Sequence, residues 1–292
     1  MKQIISLALA MLWSISAWAL QPYIYADKVS GATTDAKMAD VEQKLVKAGF
    51  SVIGKYTPAG LSGAGVMVAT DPELNALIAG LGGSTIVAAP IRIGVSNDGV
   101  ISYINPDYWY RAFLRKHFIG NAGRVAQNVK QRLAKALGDK GEFGGDVDKR
   151  DLPDYQYMFG MESFESEKNL VGESLSFDDM VQTVRANLKK GVGHTAKVYE
   201  VVIPEKKIAV FGVAMNDPKE GEAWWVKLVD DRHLAALPYE LYVIDNKAYH
   251  LFARYRIALS WPDTGMGTFM RIVEAPQIIM DTMSKVASNK RY

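Results

Sequence analysis

The sequence predicts an α+β fold built as two similar helix/antiparallel-sheet modules joined by a long acidic linker. Short alternating apolar strands broken by turn signals, helical stripes that begin at capping residues, and proline landmarks repeated in both halves predict it. With 49% apolar and 23% charged residues and a net charge of +2, the 292-residue chain is expected to pack rather than stay disordered.

Residues 1–19 carry Lys2, an apolar run from Ile4 to Ile15 and the small-residue pattern Ala17-Trp18-Ala19, the pattern of a secretory signal peptide cleaved after Ala19. The run is shorter than the roughly 20 residues a bilayer requires, so a soluble periplasmic or extracellular protein without a stable membrane anchor is expected. With no cysteine in the chain, disulfides, thiolate metal sites, a cysteine nucleophile and covalently attached c-type haem are excluded.

The first module is expected over residues 20–137. After a strand or arm at 20–35, Met38, Val41 and Leu45 mark a helix ending near Ala48, with Gly49 placed for a left-handed cap. Phe50–Thr57 and Val66–Ala69 read as a hairpin around the Gly-rich turn Pro58–Gly65. Asp71-Pro72 opens a helix that ends at Gly80–Gly83, since Asp caps orphan amides and Pro at the first helical position loses no bond. Ile91, Ile93 and Val95 alternate into Asn97-Asp98-Gly99, expected to supply the positive φ of a tight hairpin returning through Val100–Ile104, and Asn105-Pro106 starts another helix.

A linker over 138–175, rich in Gly, Pro and acidic residues, is expected to run over the surface with its middle docked by Tyr155, Tyr157, Met158, Phe159 and Met161. The second module, 176–292, opens with the capping box Ser176–Asp179, a stripe of Met180, Val184 and Leu188, and Gly191 before the strand Lys197–Ile203. Pro58 and Pro72 recur as Pro204 and Pro218, AAPIRIGVSNDG parallels ALPYELYVIDNK, and Pro106-Asp107 with Phe113 and Arg115 parallels Pro262-Asp263 with Phe269 and Arg271. This order predicts an internal duplication, with an insertion at Tyr249–Ser260 lengthening the hairpin strands of the second copy.

The stretches TDPELNALIAG, APIRIGVSNDG and INPDYW resemble a family catalogued as domain of unknown function 302, over residues 36–137 and more distantly over 176–288. The resemblance implies a compact α+β fold and no particular reaction. Many members carry a cysteine after the strand-opening proline; Ile91 and Tyr239 stand there in this chain, so any thiol chemistry of that position is absent.

Two surfaces are candidates for function. Tyr108–Gly138 holds Arg111, Arg115, Lys116, Arg124, Lys130, Arg132 and Lys135 without an acid, and the linker that follows is acidic. Mutual neutralisation of the two blocks is the simple reading; an anion or partner face formed by Arg115, Lys116, Arg124, Lys130 and Arg132 is the functional one. The second surface is aromatic: Tyr108, Trp109, Trp224, Trp225 and Trp261, with Arg111, Arg254 and Arg256 as anion clamps, would line a ligand cleft between the modules, against the ordinary reading that aromatics fill cores.

His117, His194, His233 and His250 show no metal-ligand spacing, and the 12 methionines read as core filling, so no preformed metal site and no cofactor is indicated; ligation of a haem or copper by His or Met residues that the fold brings together is left open. The Gly-rich turns match no phosphate loop, and no GxSxG elbow occurs. A near-neutral chain without a nucleic-acid motif does not point to nucleic acid. The expectation is an exported protein that binds a small or acidic ligand, or a partner, between its modules rather than an enzyme. The alternatives are a periplasmic redox or hydrolytic enzyme with a non-covalently bound cofactor and a purely structural partner protein; oligomeric state is left open.

Overall fold

A computed structural model describes residues 18–229 and 232–289. The expected signal peptide lies outside these residues except for Trp18 and Ala19. The first strand, β1 (Ala19–Leu20), pairs with β8 (Val147–Asp148) in a small ribbon.

The first half forms a six-stranded antiparallel sheet from β2 (Tyr23–Tyr25), β3 (Ser51–Tyr56), β4 (Gly65–Thr70), β5 (Ile91–Val95), β6 (Ile101–Ile104) and β7 (Glu142–Phe143), in the order β3-β4-β5-β6-β2-β7. Its helices are α1 (Thr34–Lys47), α2 (Pro72–Leu81), α3 (Pro106–Leu114) and α4 (Asn121–Leu137). Sequence and structure meet at the Asp71 cap, whose Oδ1 accepts from the Leu74 amide at 2.9 Å; at the start of α1 the Thr33 hydroxyl accepts from the Ala36 amide at 3.1 Å. In the β5–β6 turn only Gly99 has positive φ, 82°, so one residue and not several supplies the reversal.

The second half forms a five-stranded antiparallel sheet from β9 (Leu170–Glu173), β10 (Thr195–Ile203), β11 (Ile208–Met215), β12 (Tyr239–Ile244) and β13 (Lys247–His250), in the order β10-β11-β12-β13-β9. Its helices are α5 (Phe177–Lys190), α6 (Glu222–Val229), α7 (Ala253–Ser260), α8 (Met266–Arg271) and α9 (Ala275–Val286). Reading β3-β4-β5-β6-β2 against β10-β11-β12-β13-β9 gives the same strand order. The register agrees too: Ile93 opposes Tyr103 in the first hairpin, and Leu241 opposes His250 in the second.

That register corrects two expectations. The stretch 253–260 does not lengthen the second hairpin, because it is the buried helix α7, which follows β13 as α3 follows β6. Pro106 starts α3, whereas Pro262 lies beyond α7, so the shared Pro-Asp-x5-Phe-x-Arg spacing does not mark corresponding positions. The stretch reserved for the linker also contributes β7 to one sheet and β9 to the other, because its Glu142–Phe143 and Leu170–Glu173 segments find open strand edges.

The halves interlock reciprocally. The 3-10 segment Gly83–Ala88 of the first half packs on β11 and β12, and the 3-10 segment Leu234–Ala236 of the second packs on β4, β5 and β6. Edge strands β3 and β10 also lie together. Strand alternation sends Ile91, Ile93 and Val95 to the face that bears α1 and turns Arg92 and Gly94 toward the seam. Leu234 presses on Gly94, where a Cβ would stand 2.6 Å from its own Cβ.

Candidate functional site

The seam between the halves has a closed interior and an open margin. In the interior, Arg92 of β5 and Glu240 of β12 each stand two residues after a proline, Pro90 and Pro238, and they form a buried ion pair. Glu240 also accepts from Arg256 of α7, through Oε2 at 3.1 Å and Oε1 at 3.2 Å. Arg92 Nε donates to the Ala235 carbonyl at 3.2 Å and Arg256 Nη2 to the Ala236 carbonyl at 2.9 Å, so the Leu234–Ala236 segment supplies acceptors to both. Arg256 Nη1 additionally reaches the Ser260 hydroxyl.

Both guanidinium carbons lie over the Trp109 ring, Arg92 at 4.6 Å and Arg256 at 4.7 Å from its centroid. Stacking on a π face compensates part of the lost hydration. Burial, then the charge of Arg256, pushes the Arg92 guanidinium down from its ordinary range, and burial does the same to Arg256. Burial raises the Tyr23 phenol to about 12 and carries the Tyr199 and Tyr239 phenols well above their ordinary range, although the arginines oppose each shift. The interior thus holds charge but offers no readily titrated group near neutral pH at these positions.

A second buried acid sits nearby on α6. Glu222 is raised to about 8, chiefly by burial, against the opposing pull of the Tyr56 hydroxyl and the Met215 amide. Both groups lie near the carboxyl, yet neither carboxylate oxygen has a partner at full hydrogen-bond geometry. Burial alone drives the His250 imidazole down to about 3.

The sequence-predicted cleft is filled. Tyr108, Trp109, Trp225, Arg256 and Trp261 are all buried, with Tyr108 donating its hydroxyl to the Leu259 carbonyl at 2.8 Å and Trp225 edge-on to Trp261 at 5.7 Å. They are part of the packed interior, and the Tyr108–Leu259 bond crosses between the halves. Of the others, Arg111 pairs with Asp107 at 2.9 Å and covers Phe118, Arg254 pairs with Glu162 at 2.5 Å, and the half-buried Trp224 lines a shallow groove with Gly60 and Lys227.

The basic block is likewise engaged. Arg115 pairs with Glu165, Lys130 with Glu142 at 2.8 Å, Arg124 with Glu73 at 2.7 Å, and Arg132 with Asp71, while Lys116 lies in the turn after α3. Two of those four acids come from the linker and two from α2 and its cap, so the block is neutralised from both sides rather than presented as one cationic face.

Where the seam opens at its margin, a cleft of 530 Å³ is lined by Tyr25, Lys28, Asp98, Val100 and Lys140 of the first half and by Arg232 and Leu234 of the second, among others. Tyr25 is held flat against Phe143, ring centroids 3.7 Å apart and 9° from parallel. Lys28 pairs with Asp98 and Lys140 with Asp27, each at 2.9 Å on exposed side chains, so both cations can turn toward a bound group at little cost. Sequence reasoning missed Arg92, Glu240, Lys28 and Lys140; for the first two a signal existed, opposite charges at matched places in otherwise apolar strands.

Among the described residues no three His, Cys, Asp or Glu side chains converge on a metal-binding arrangement, and no helix is long and apolar enough to cross a membrane. No family model matches the chain, and no curated protein matches it. A solved structure described as an uncharacterized conserved protein DUF302 from Bacillus stearothermophilus is similar to part of it, with 14% identity and a TM-score of 0.31 over 39% of this chain and 94% of that one.

Proposed function

We propose that this chain is an exported binding protein, built from two diverged copies of one α+β unit, that holds a small anionic ligand with an apolar or aromatic body in the marginal cleft of its seam. The observation that carries this reading is the lining of the cleft among the described residues: the exposed Lys28 and Lys140, with Asp98 and Arg232, around Tyr25, Val100 and Leu234. Such a surface offers cations for an acidic head and apolar wall for the rest. Duplication is supported by the common strand order and hairpin register, and export by the pattern of residues 1–19; intact mass of the secreted protein retaining Met1 would refute export.

The binding reading is tested with anilinonaphthalene sulfonate, a fluorescent aromatic anion, titrated into the full chain. Saturable binding is expected, weakened at least about tenfold in Lys28→Glu/Lys140→Glu and abolished by Val100→Trp, which fills the cleft; tenfold corresponds to about 1.4 kcal/mol. Equal binding in wild type and both variants would overturn it.

A further inference from the structure

Outside the seam, four of the chain's 12 methionines face one groove of 370 Å³: Met158, Met161, Met266 and Met270. Two come from the 158–161 turn, which is closed by the Met161 amide donating to the Met158 carbonyl at 3.0 Å. The other two lie four residues apart on α8, a spacing that puts both side chains on one helix face. Tyr157 stacks on Phe269 with centroids 6.0 Å apart and rings 15° from parallel, clamping the turn against the helix.

These methionines are unlike those of the core. Met38, Met67, Met180, Met215 and Met283 are buried, whereas Met158, Met266 and Met270 are 48%, 49% and 58% exposed. Exposing three thioethers around one groove forgoes the burial that makes methionine useful as filling. Among the described residues the groove lining includes no His, Asp or Glu, and the one cation among them, Arg254, is drawn to Glu162. Hard divalent ions therefore find no charged oxygen ligand there, while polarizable neutral sulfur suits a soft monovalent cation. The lone Met158-x-x-Met161 spacing is no array in the sequence; the fold supplies the second pair.

We infer that Met158, Met161, Met266 and Met270 form a thioether site for a soft d10 cation, Cu(I) or Ag(I). The site binds the ion without changing its oxidation state and is independent of the seam cleft. The absence of cysteine leaves no thiolate to compete for the metal.

Silver(I) nitrate titrated into the full chain in a chloride-free buffer, followed by calorimetry and native mass spectrometry, is the test. One tightly held silver ion per chain is expected. Met158→Leu/Met161→Leu/Met266→Leu/Met270→Leu keeps the apolar volume and should weaken binding at least about a hundredfold, about 2.7 kcal/mol. Each two-residue variant, Met158→Leu/Met161→Leu or Met266→Leu/Met270→Leu, should fall between, which keeps the test intact if the fourfold variant folds poorly. Failure of the wild type to hold silver, or the same affinity in the two-residue variants, would overturn the site.

Discussion

Glu240 shows how one side chain decides the fate of its neighbours. It is shared by Arg92 and Arg256, all three nearly inaccessible to water, so the trio carries one uncompensated positive charge. Removing the carboxylate would leave two buried guanidiniums facing each other without it. Glu240→Gln is therefore expected to cost on the order of 3–5 kcal/mol in urea denaturation, as for other buried pairs broken from one side. A loss below about 1 kcal/mol would mean that the Trp109 face and the backbone carbonyls suffice to hold both cations. Neither partner of this trio stands out by composition; what the chain does reveal is that a strand as apolar as PIRIGV or PYELYV carries one charge at the same offset from its proline.

Among the elements, β3 and β10 set the closeness of the halves. Both skip a residue in register, between Val52 and Gly54 and between Lys197 and Tyr199, and the two bulges meet. A Cβ on Gly54 would stand 2.4 Å from the Val198 carbonyl oxygen and 3.0 Å from the Tyr199 Cβ. Because backbone cannot step aside as a side-chain tip does, Gly54→Val should lower stability by about 1–3 kcal/mol and loosen the seam, read as faster amide exchange in β3 and β10. Unchanged exchange in both strands would show that the seam is not set there.

The helices and hairpins of this chain are legible in its sequence wherever a local rule acts alone, as at Asp71 and Ser176, whose side chains cap α2 and α5. Ala253–Ser260 is not legible in that way. It is buried on nearly all sides, so its apolar residues show neither a strand's alternation nor a helix's stripe, and its flanking aromatics suggest β-structure. The candidate site was harder still, because Lys28, Lys140 and Leu234 meet only when the second half's 3-10 segment crosses onto the first half's sheet.

For the whole molecule, two buried groups with opposite displacements shape the response to pH. Burial raises Glu222 from 4.5 to about 8 and lowers His250 from 6.5 to about 3. Between pH 4.5 and 8 the folded chain keeps a proton at Glu222 that the unfolded chain has lost, so this residue lowers stability as pH rises. Between pH 3 and 6.5 the folded chain lacks a proton at His250 that the unfolded chain holds, so this residue raises stability as pH rises. From about pH 4.5 to 6.5 these two contributions cancel, and outside that window each alone contributes about 1.4 kcal/mol per pH unit for one proton. The lowered carboxyls such as Asp98 and Asp148 add to the acid decline. Glu222→Gln should abolish the alkaline decline and leave the acid one; urea midpoints that still fall from pH 6.5 to 8 in the variant would place the cause elsewhere.

The rows Gly54–Val68–Arg92 and Tyr199–Gly212–Glu240 occupy matching places in the two sheets, and their members touch across the seam: glycine against tyrosine, arginine against glutamate. Trp109 and Arg256, each the fourth residue of its helix, meet in the same way. Each contact joins unlike residues, one small and one large, one basic and one acidic, one aromatic and one cationic. A half placed against a copy of itself would set arginine on arginine and tyrosine on tyrosine, so the seam discriminates self from complement. Its positions are therefore coupled in pairs: a change at 92 is felt at 240, and one at 54 at 199, as between two separate proteins that share an interface.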